Sequence, residues 1–147
     1  MAYLCPDCGG GVPVDAQCSD RFWEGQAIEG LDPAYYAVHQ LSVPAYYLQH
    51  NLYSREGWLA VRKLLGEFIF EGLTPQYARQ KYRDDFEGGN RKESITKGAK
   101  LEEVATVQWT FTISDVCLDT AAHYCADVRI WAERVFNDSA AMVAGLG

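Results

Sequence analysis

The stretch Cys5-Pro6-Asp7-Cys8-Gly9 restricts what this chain can build more than any other segment. Two thiols separated by two residues, on a turn that Pro6 and Gly9 make tight, can grip one cation from one side. Cys18 follows soon after and is the nearest further soft ligand. His39 and His50 lie beyond it. Thiolates joined by an imidazole suit Zn2+, which prefers tetrahedral sulfur and nitrogen ligands. The competing reading is a redox dithiol of the Cys-Pro-x-Cys kind. That chemistry calls for a preceding strand and a following helix. Here the motif starts at the fifth residue and runs into Gly9-Gly10-Gly11, so metal ligation is preferred.

His39 and His50 compete for the fourth ligand position. They stand eleven residues apart, and on an unbroken helix that spacing puts them on one face but about 16 Å from each other. No single ion spans that gap. A break at Pro44 would relax the constraint. His50 is favoured, because Gln49-His50-Asn51 falls at a predicted helix end where a ring can turn toward a loop. Whichever histidine is not a ligand has an interior, capping or supporting hydrogen-bonding role open to it.

The chain has 147 residues, the length of one domain. With 48% hydrophobic and 13% aromatic residues it can bury a core without disulfides. A net charge of -7 argues against nucleic acid, whose phosphates require a positive face. The basic run Arg79, Lys81, Arg83, Arg91, Lys92, Lys97 and Lys100 is interrupted by Asp84, Asp85, Glu87 and Glu93, so it reads as a solvated surface. No signal peptide and no membrane-length apolar run is visible. Five cysteines is an odd count for a disulfide framework. These features lead to the expectation of a cytoplasmic protein with reduced thiols.

Glycine and proline make residues 1–20 a metal-binding loop. Helices are predicted over 21–86. The first covers about 19–30, capped by Ser19 or Asp20 and stopped at Gly30. A second runs from Pro33 to about Leu41, and a third starts at Ser42 with Pro44 in its first turn. The strongest pattern spans 55–72, where Trp58, Val61, Leu64, Leu65, Phe68 and Ile69 recur at helical spacing. Thr74-Pro75 opens another helix. Residues 87–103 are read as a mobile loop, 104–111 as extended. Thr112 with Asp115 fits a capping box for a long helix over 113–137, with an apolar stripe of Cys117, Ala121, Tyr124, Val128, Trp131 and Val135. The predicted architecture is an all-α bundle of four or five helices with an N-terminal zinc knuckle.

Cys117, His123 and Cys125 form a second group late in the chain, for which core packing is preferred over a second metal site. Tyr35, Tyr36, Tyr46 and Tyr47 are expected in the core or a pocket wall. Acid–base candidates are few: Glu24 and Glu29 precede the histidines, and Asp115 is accounted for as a cap.

The segments Cys5-Pro6-Asp7-Cys8-Gly9, Cys18 with Phe22, His39-Gln40-Leu41-Ser42-Val43, Tyr47-Leu48-Gln49-His50, Trp109-Thr110, Ile113-Ser114-Asp115-Val116 and Val128-Arg129-Ile130-Trp131-Ala132 together carry a resemblance. The chain resembles a bacterial domain family of unknown function, over most of its length. That family has a proline where this chain has Asn51, and it lacks the residues Phe111 and Thr112 between the tryptophan–threonine pair and the isoleucine. The resemblance implies the cysteine and histidine ligands and no particular substrate.

The sequence therefore predicts a small helical protein holding one structural Zn2+ through Cys5, Cys8, Cys18 and one histidine. The expected role is binding or regulation, with a protein or small molecule as partner and a homodimer allowed. An alternative is an enzyme with an open Cys/His zinc site, using Glu29 or a tyrosine for proton transfer. At fold level such a bundle is similar to the DinB-like metal-dependent proteins. A thiol-based redox or metal sensor is the third reading.

Overall fold

The first two elements are strands, where the sequence predicts only loop. In the computed structural model, which describes residues 2–81 and 95–146, β1 (Ala2–Leu4) pairs antiparallel with β2 (Gly11–Pro13). Tyr3 stands opposite Val12. Val12 is the buried residue of β2 and anchors a small cluster with Cys5 and Cys8, against which Ala16, Cys18 and Trp109 pack. The chain is otherwise mainly helical.

Helix α1 (Cys18–Leu31) begins one residue before the expected start. Its cap is Gln17, whose N–H donates to Asp20 Oδ2 at 2.8 Å. Gly30 does not stop it. Next, α2 (Pro33–Tyr36) and α3 (His39–Gln49) correct the parse around Pro44. The break falls at residues 37–38, and Pro44 lies inside α3. Only one ladder bond is given up there, the one that residue 44 would have donated to Gln40. The burial of Leu41, Ala45, Tyr46 and Leu48 rewards the continuous helix.

Helix α4 (Arg55–Phe70) follows the predicted stripe, and the Ser54 side chain accepts the Gly57 N–H as its cap. Helix α5 (Pro75–Lys81) starts where Thr74-Pro75 places it, with Thr74 Oγ1 accepting from the Tyr77 N–H at 3.1 Å. The part of the predicted mobile loop over 87–94 lies outside the described residues. From Ile95 onward the chain packs: Ser54 N–H donates to the Ile95 carbonyl at 2.6 Å, and Leu101 is fully buried. Residues Glu102–Thr106 make a 3₁₀ turn instead of an extended run.

The Thr112–Asp115 capping box forms, but it heads only a 3₁₀ turn, Ile113–Asp115. The long helix α6 runs Ala121–Asp138, capped by Thr120, not from residue 113. The cause is tertiary. The Arg21 guanidinium of α1 donates to the carbonyls of Ile113 (3.3 Å) and Val116, and Cys117 N–H donates to Asp127 Oδ2 at 2.9 Å. Groups a continuing helix would bond internally are thus committed elsewhere. Cys117 accordingly sits outside α6, while Tyr124, Cys125, Val128, Trp131, Ala132 and Val135 are its buried residues. A last turn of helix, α7 (Ala140–Ala144), closes the described chain.

Helices α3, α4 and α6 pack against one another, with α1 and α2 alongside. Trp58, Leu65, Leu48, Val128 and Trp131 are fully buried between them. Burial pushes the phenols of Tyr53 and Tyr124 well above the ordinary tyrosine range. The unfolded chain ionises its tyrosines near pH ~10. Above that pH the folded state holds more protons than the unfolded one, so stability falls as pH rises, by up to about 1.4 kcal/mol per pH unit for each such tyrosine. Urea unfolding between about pH 9 and about pH 11 should show the midpoint falling. A flat profile would mean these hydroxyls are solvated.

Candidate metal centre

Cys5 and Cys8 sit on the β1–β2 turn. Its backbone is closed by two bonds of 2.8 Å, from Cys5 N–H to the Gly10 carbonyl and from Gly9 N–H to the Cys5 carbonyl. Gly9 holds φ +79, a left-handed geometry that glycine adopts without a Cβ clash. Gly10 N–H points at Cys8 Sγ, 3.4 Å away, a contact that favours the thiolate. A Cβ on Gly10 would stand 2.5 Å from Thr112 Oγ1, so glycine there lets the turn seat against the 112–115 segment. Cys18 is the first residue of α1, where the helix N-terminus favours a negative sulfur. His50 follows the last residue of α3.

The four side chains converge. Their ligand atoms all lie within 4.8 Å of one another, a group that could hold a metal ion. Cys8 Sγ is 3.7 Å from Cys18 Sγ; His50 Nε2 is 3.4 Å from Cys18 Sγ and 3.7 Å from Cys5 Sγ. The other imidazole nitrogen settles the tautomer. His50 Nδ1 lies 2.8 Å from the Tyr46 carbonyl, which can only accept, so Nδ1 carries the hydrogen and Nε2 presents its lone pair to the sulfurs. Stacking fixes the ring: His50 on Tyr46 at 3.9 Å, and Tyr46 on Phe22 at 4.0 Å. The Cys18 contact holds the Cys8 thiol well below the ordinary thiol range, and the same contact pushes the Cys18 thiol up. A cation bound among them would take the sulfurs as thiolates and displace the protons they carry.

A family model matches residues 4–140. The chain belongs to DUF5946, a family of unknown function. No curated protein and no solved structure matches it.

In this DUF5946 member the turn after His50 uses the residue that departs from the resemblance. Asn51 has φ +53, which a proline ring cannot reach, and its Nδ2 donates to the Leu101 carbonyl at 3.0 Å.

His39, a candidate ligand by sequence, is not in the cluster. Its Nδ1 lies 2.8 Å from Glu29 Oε1. α3 is continuous through Pro44, so His39 and His50 occupy its two ends, about 16 Å apart by helical rise. Glu29 is likewise separated from Cys18 along α1, which removes it from the metal centre as an acid–base group.

The late group is also rearranged. Cys125 is buried and its thiol donates to the Ala34 carbonyl at 3.2 Å. Cys117 instead comes close to Asp119 and His123, the latter pairing with Asp119 (3.1 Å) and Asp127 (3.6 Å) on the surface. Sequence reasoning missed Asp119; its position four residues before His123 at a helix start was the available signal.

Proposed function

We propose that this DUF5946 protein binds one zinc ion through Cys5, Cys8, Cys18 and His50, and that the ion is structural. The supporting observation is metric. Tetrahedral zinc with bonds of about 2.3 Å to sulfur and about 2.05 Å to nitrogen has S···S edges of about 3.8 Å and S···N edges of about 3.6 Å. Three of the six edges are close to these values: Cys8 Sγ to Cys18 Sγ is 3.7 Å, and His50 Nε2 is 3.4 Å from Cys18 Sγ and 3.7 Å from Cys5 Sγ, while all four atoms lie within 4.8 Å of one another. Three thiols and one imidazole complete the sphere, and Cys5, Cys8 and His50 are each less than a tenth exposed. That favours a closed site over an open one awaiting water or substrate.

The ion would join three separate pieces of chain: the β1–β2 turn, the start of α1 and the end of α3. The N-terminal segment is then a zinc knuckle fastened to a helical bundle, and the role assigned to the protein is binding or regulation through that helical body. All five cysteines are free, which suits a reducing compartment such as the cytoplasm. Among the described residues no helix is long and apolar enough to cross a membrane.

Elemental analysis of protein purified under reducing conditions should give about one zinc per chain. Cys8→Ser and His50→Ala should each lose most of it, whereas His39→Gln should keep it. Protein that carries no transition metal, or a Cys8→Ser variant that retains zinc in full, would sink this reading.

A further inference from the structure

The ends of α1 and α3 away from the metal centre meet in a second polar constellation. Glu29 is a carboxylate in the core, its side chain 1% exposed. It is surrounded by donors. Oε1 faces His39 Nδ1 at 2.8 Å, and Oε2 accepts from Ser42 Oγ (2.8 Å), Gln26 Nε2 (3.2 Å) and the Tyr124 hydroxyl. Gly25 leaves the space through which Tyr124 reaches it, since a Cβ there would lie 3.3 Å from that hydroxyl. Burial and the Glu29 contact push the Tyr124 phenol up, so it remains a donor. Every group around the carboxylate can donate a hydrogen bond to it.

His39 links this buried charge to the outside. Its side chain is 40% exposed, and Tyr36 stacks on the ring at 4.7 Å and 14°. With Nδ1 facing Glu29, Nε2 is on the far side of the ring and has no hydrogen-bond partner among the described residues. His39 also lines a cleft of about 560 Å³ between α3, α4 and α5, walled by Leu64 and Phe68 and edged by Arg79, Gln40 and Gln76. A carboxylate that orients one nitrogen of an imidazole lining a cleft is the arrangement of a general base.

We propose that Glu29 and His39 form a proton-accepting pair serving a small molecule bound in this cleft. That molecule has an apolar body for Leu64 and Phe68, an anionic group for Arg79, and an O–H or N–H directed at His39 Nε2. The proton passes to Nε2, the bonding electron pair stays on the ligand heteroatom, and Glu29 stabilises the imidazolium. Glu29 is a positioning residue and His39 the group that touches the ligand. This goes beyond the zinc reading and does not rest on it.

Hydrolysis of 4-nitrophenyl acetate probes the pair. Nε2 attacks the acyl carbon, 4-nitrophenolate leaves with the electrons of the cleaved C–O bond, and water then releases acetate and two protons while restoring the neutral imidazole. His39→Gln should lower the rate above buffer by about tenfold or more. His123→Gln, which removes an exposed imidazole elsewhere, should leave it unchanged. Glu29→Gln should lower it several-fold, and 15N spectra of the imidazoles should show His39 losing its fixed Nδ1–H tautomer in that variant. Millimolar benzoate should inhibit the wild type, and Arg79→Gln should weaken that inhibition. Equal losses in the His39 and His123 variants, no hydrolysis above buffer, or a wild-type His39 without a preferred tautomer would overturn the pair. Indifference to benzoate would overturn the ligand class. Zinc content measured on the same samples separates these outcomes from failure of the metal centre.

Discussion

Chelation of the purified protein should lower its melting temperature by about 8–16 °C, with re-addition of zinc restoring it. The size follows from linkage. A ligand present at about 1,000 times its dissociation constant stabilises the folded state by about 4 kcal/mol. In a domain of this size, each kcal/mol moves the midpoint by about 2–4 °C. The apolar cluster of the hairpin is small, Cys5, Cys8 and Val12, and two of those three residues are proposed ligands. Without the ion, the hairpin keeps only the packing of Ala16, Cys18 and Trp109 and the contact of its turn with Thr112, so amide exchange should show it opening before α3, α4 and α6. In Cys18→Ser, zinc should fail to restore the melting temperature, which separates loss of the ion from general damage by the chelator. A midpoint unchanged after complete metal removal contradicts a structural ion.

Trp131→Ala should cost at least about 3–5 kcal/mol in urea unfolding, a large share of the ~5–15 kcal/mol that holds a domain of ordinary stability. Two effects add. Trp131 is fully buried, and its removal leaves a cavity between α3 and α6. Its Nε1 also donates to Gln49 Oε1 at 2.9 Å, and Gln49 is itself 1% exposed. Losing that partner adds about 1–3 kcal/mol. Trp131→Phe keeps most of the volume and should show mainly the second cost. Because Gln49 precedes His50, both variants should also weaken zinc retention, the alanine more than the phenylalanine. A Trp131→Ala protein within about 1 kcal/mol of wild type would refute this account of the core.

Much of the candidate metal centre was legible in the sequence. Cys5 and Cys8 are tied by a short covalent spacing that needs no knowledge of the fold, and the Pro and Gly around them dictate the turn. The stripe of α4 was equally plain, since periodicity is a local property. Other positions were misread where local signals competed. Pro44 suggested a break, yet burial on both sides of it outweighs one lost ladder bond. Thr112 and Thr120 are both capping residues. The Arg21 hydrogen bonds to the Ile113 and Val116 carbonyls decide that only the second heads a long helix.

The spacing that confused the histidine assignment turns out to organise both sites. Cys18 and Glu29 are eleven residues apart on α1, and His39 and His50 are eleven apart across α3. Eleven residues make about three helical turns, so each pair shares a face. The two helices run in opposite directions, Cys18 meeting His50 at one end and Glu29 meeting His39 at the other. The antiparallel pairing of α1 and α3 therefore sets the alignment of both ends.

The sequence by itself determined the thiol pair, the period of α4 and the start of α5 at Thr74-Pro75, because each depends on chemistry within a few residues of chain. Only the tertiary structure decided which histidine joins the sulfurs, which one takes Glu29, and where α6 begins. Those outcomes depend on which faces of distant helices come into contact, and that is fixed by the burial of side chains such as Phe22, Tyr46 and Trp131 together, not by any one segment's own preference.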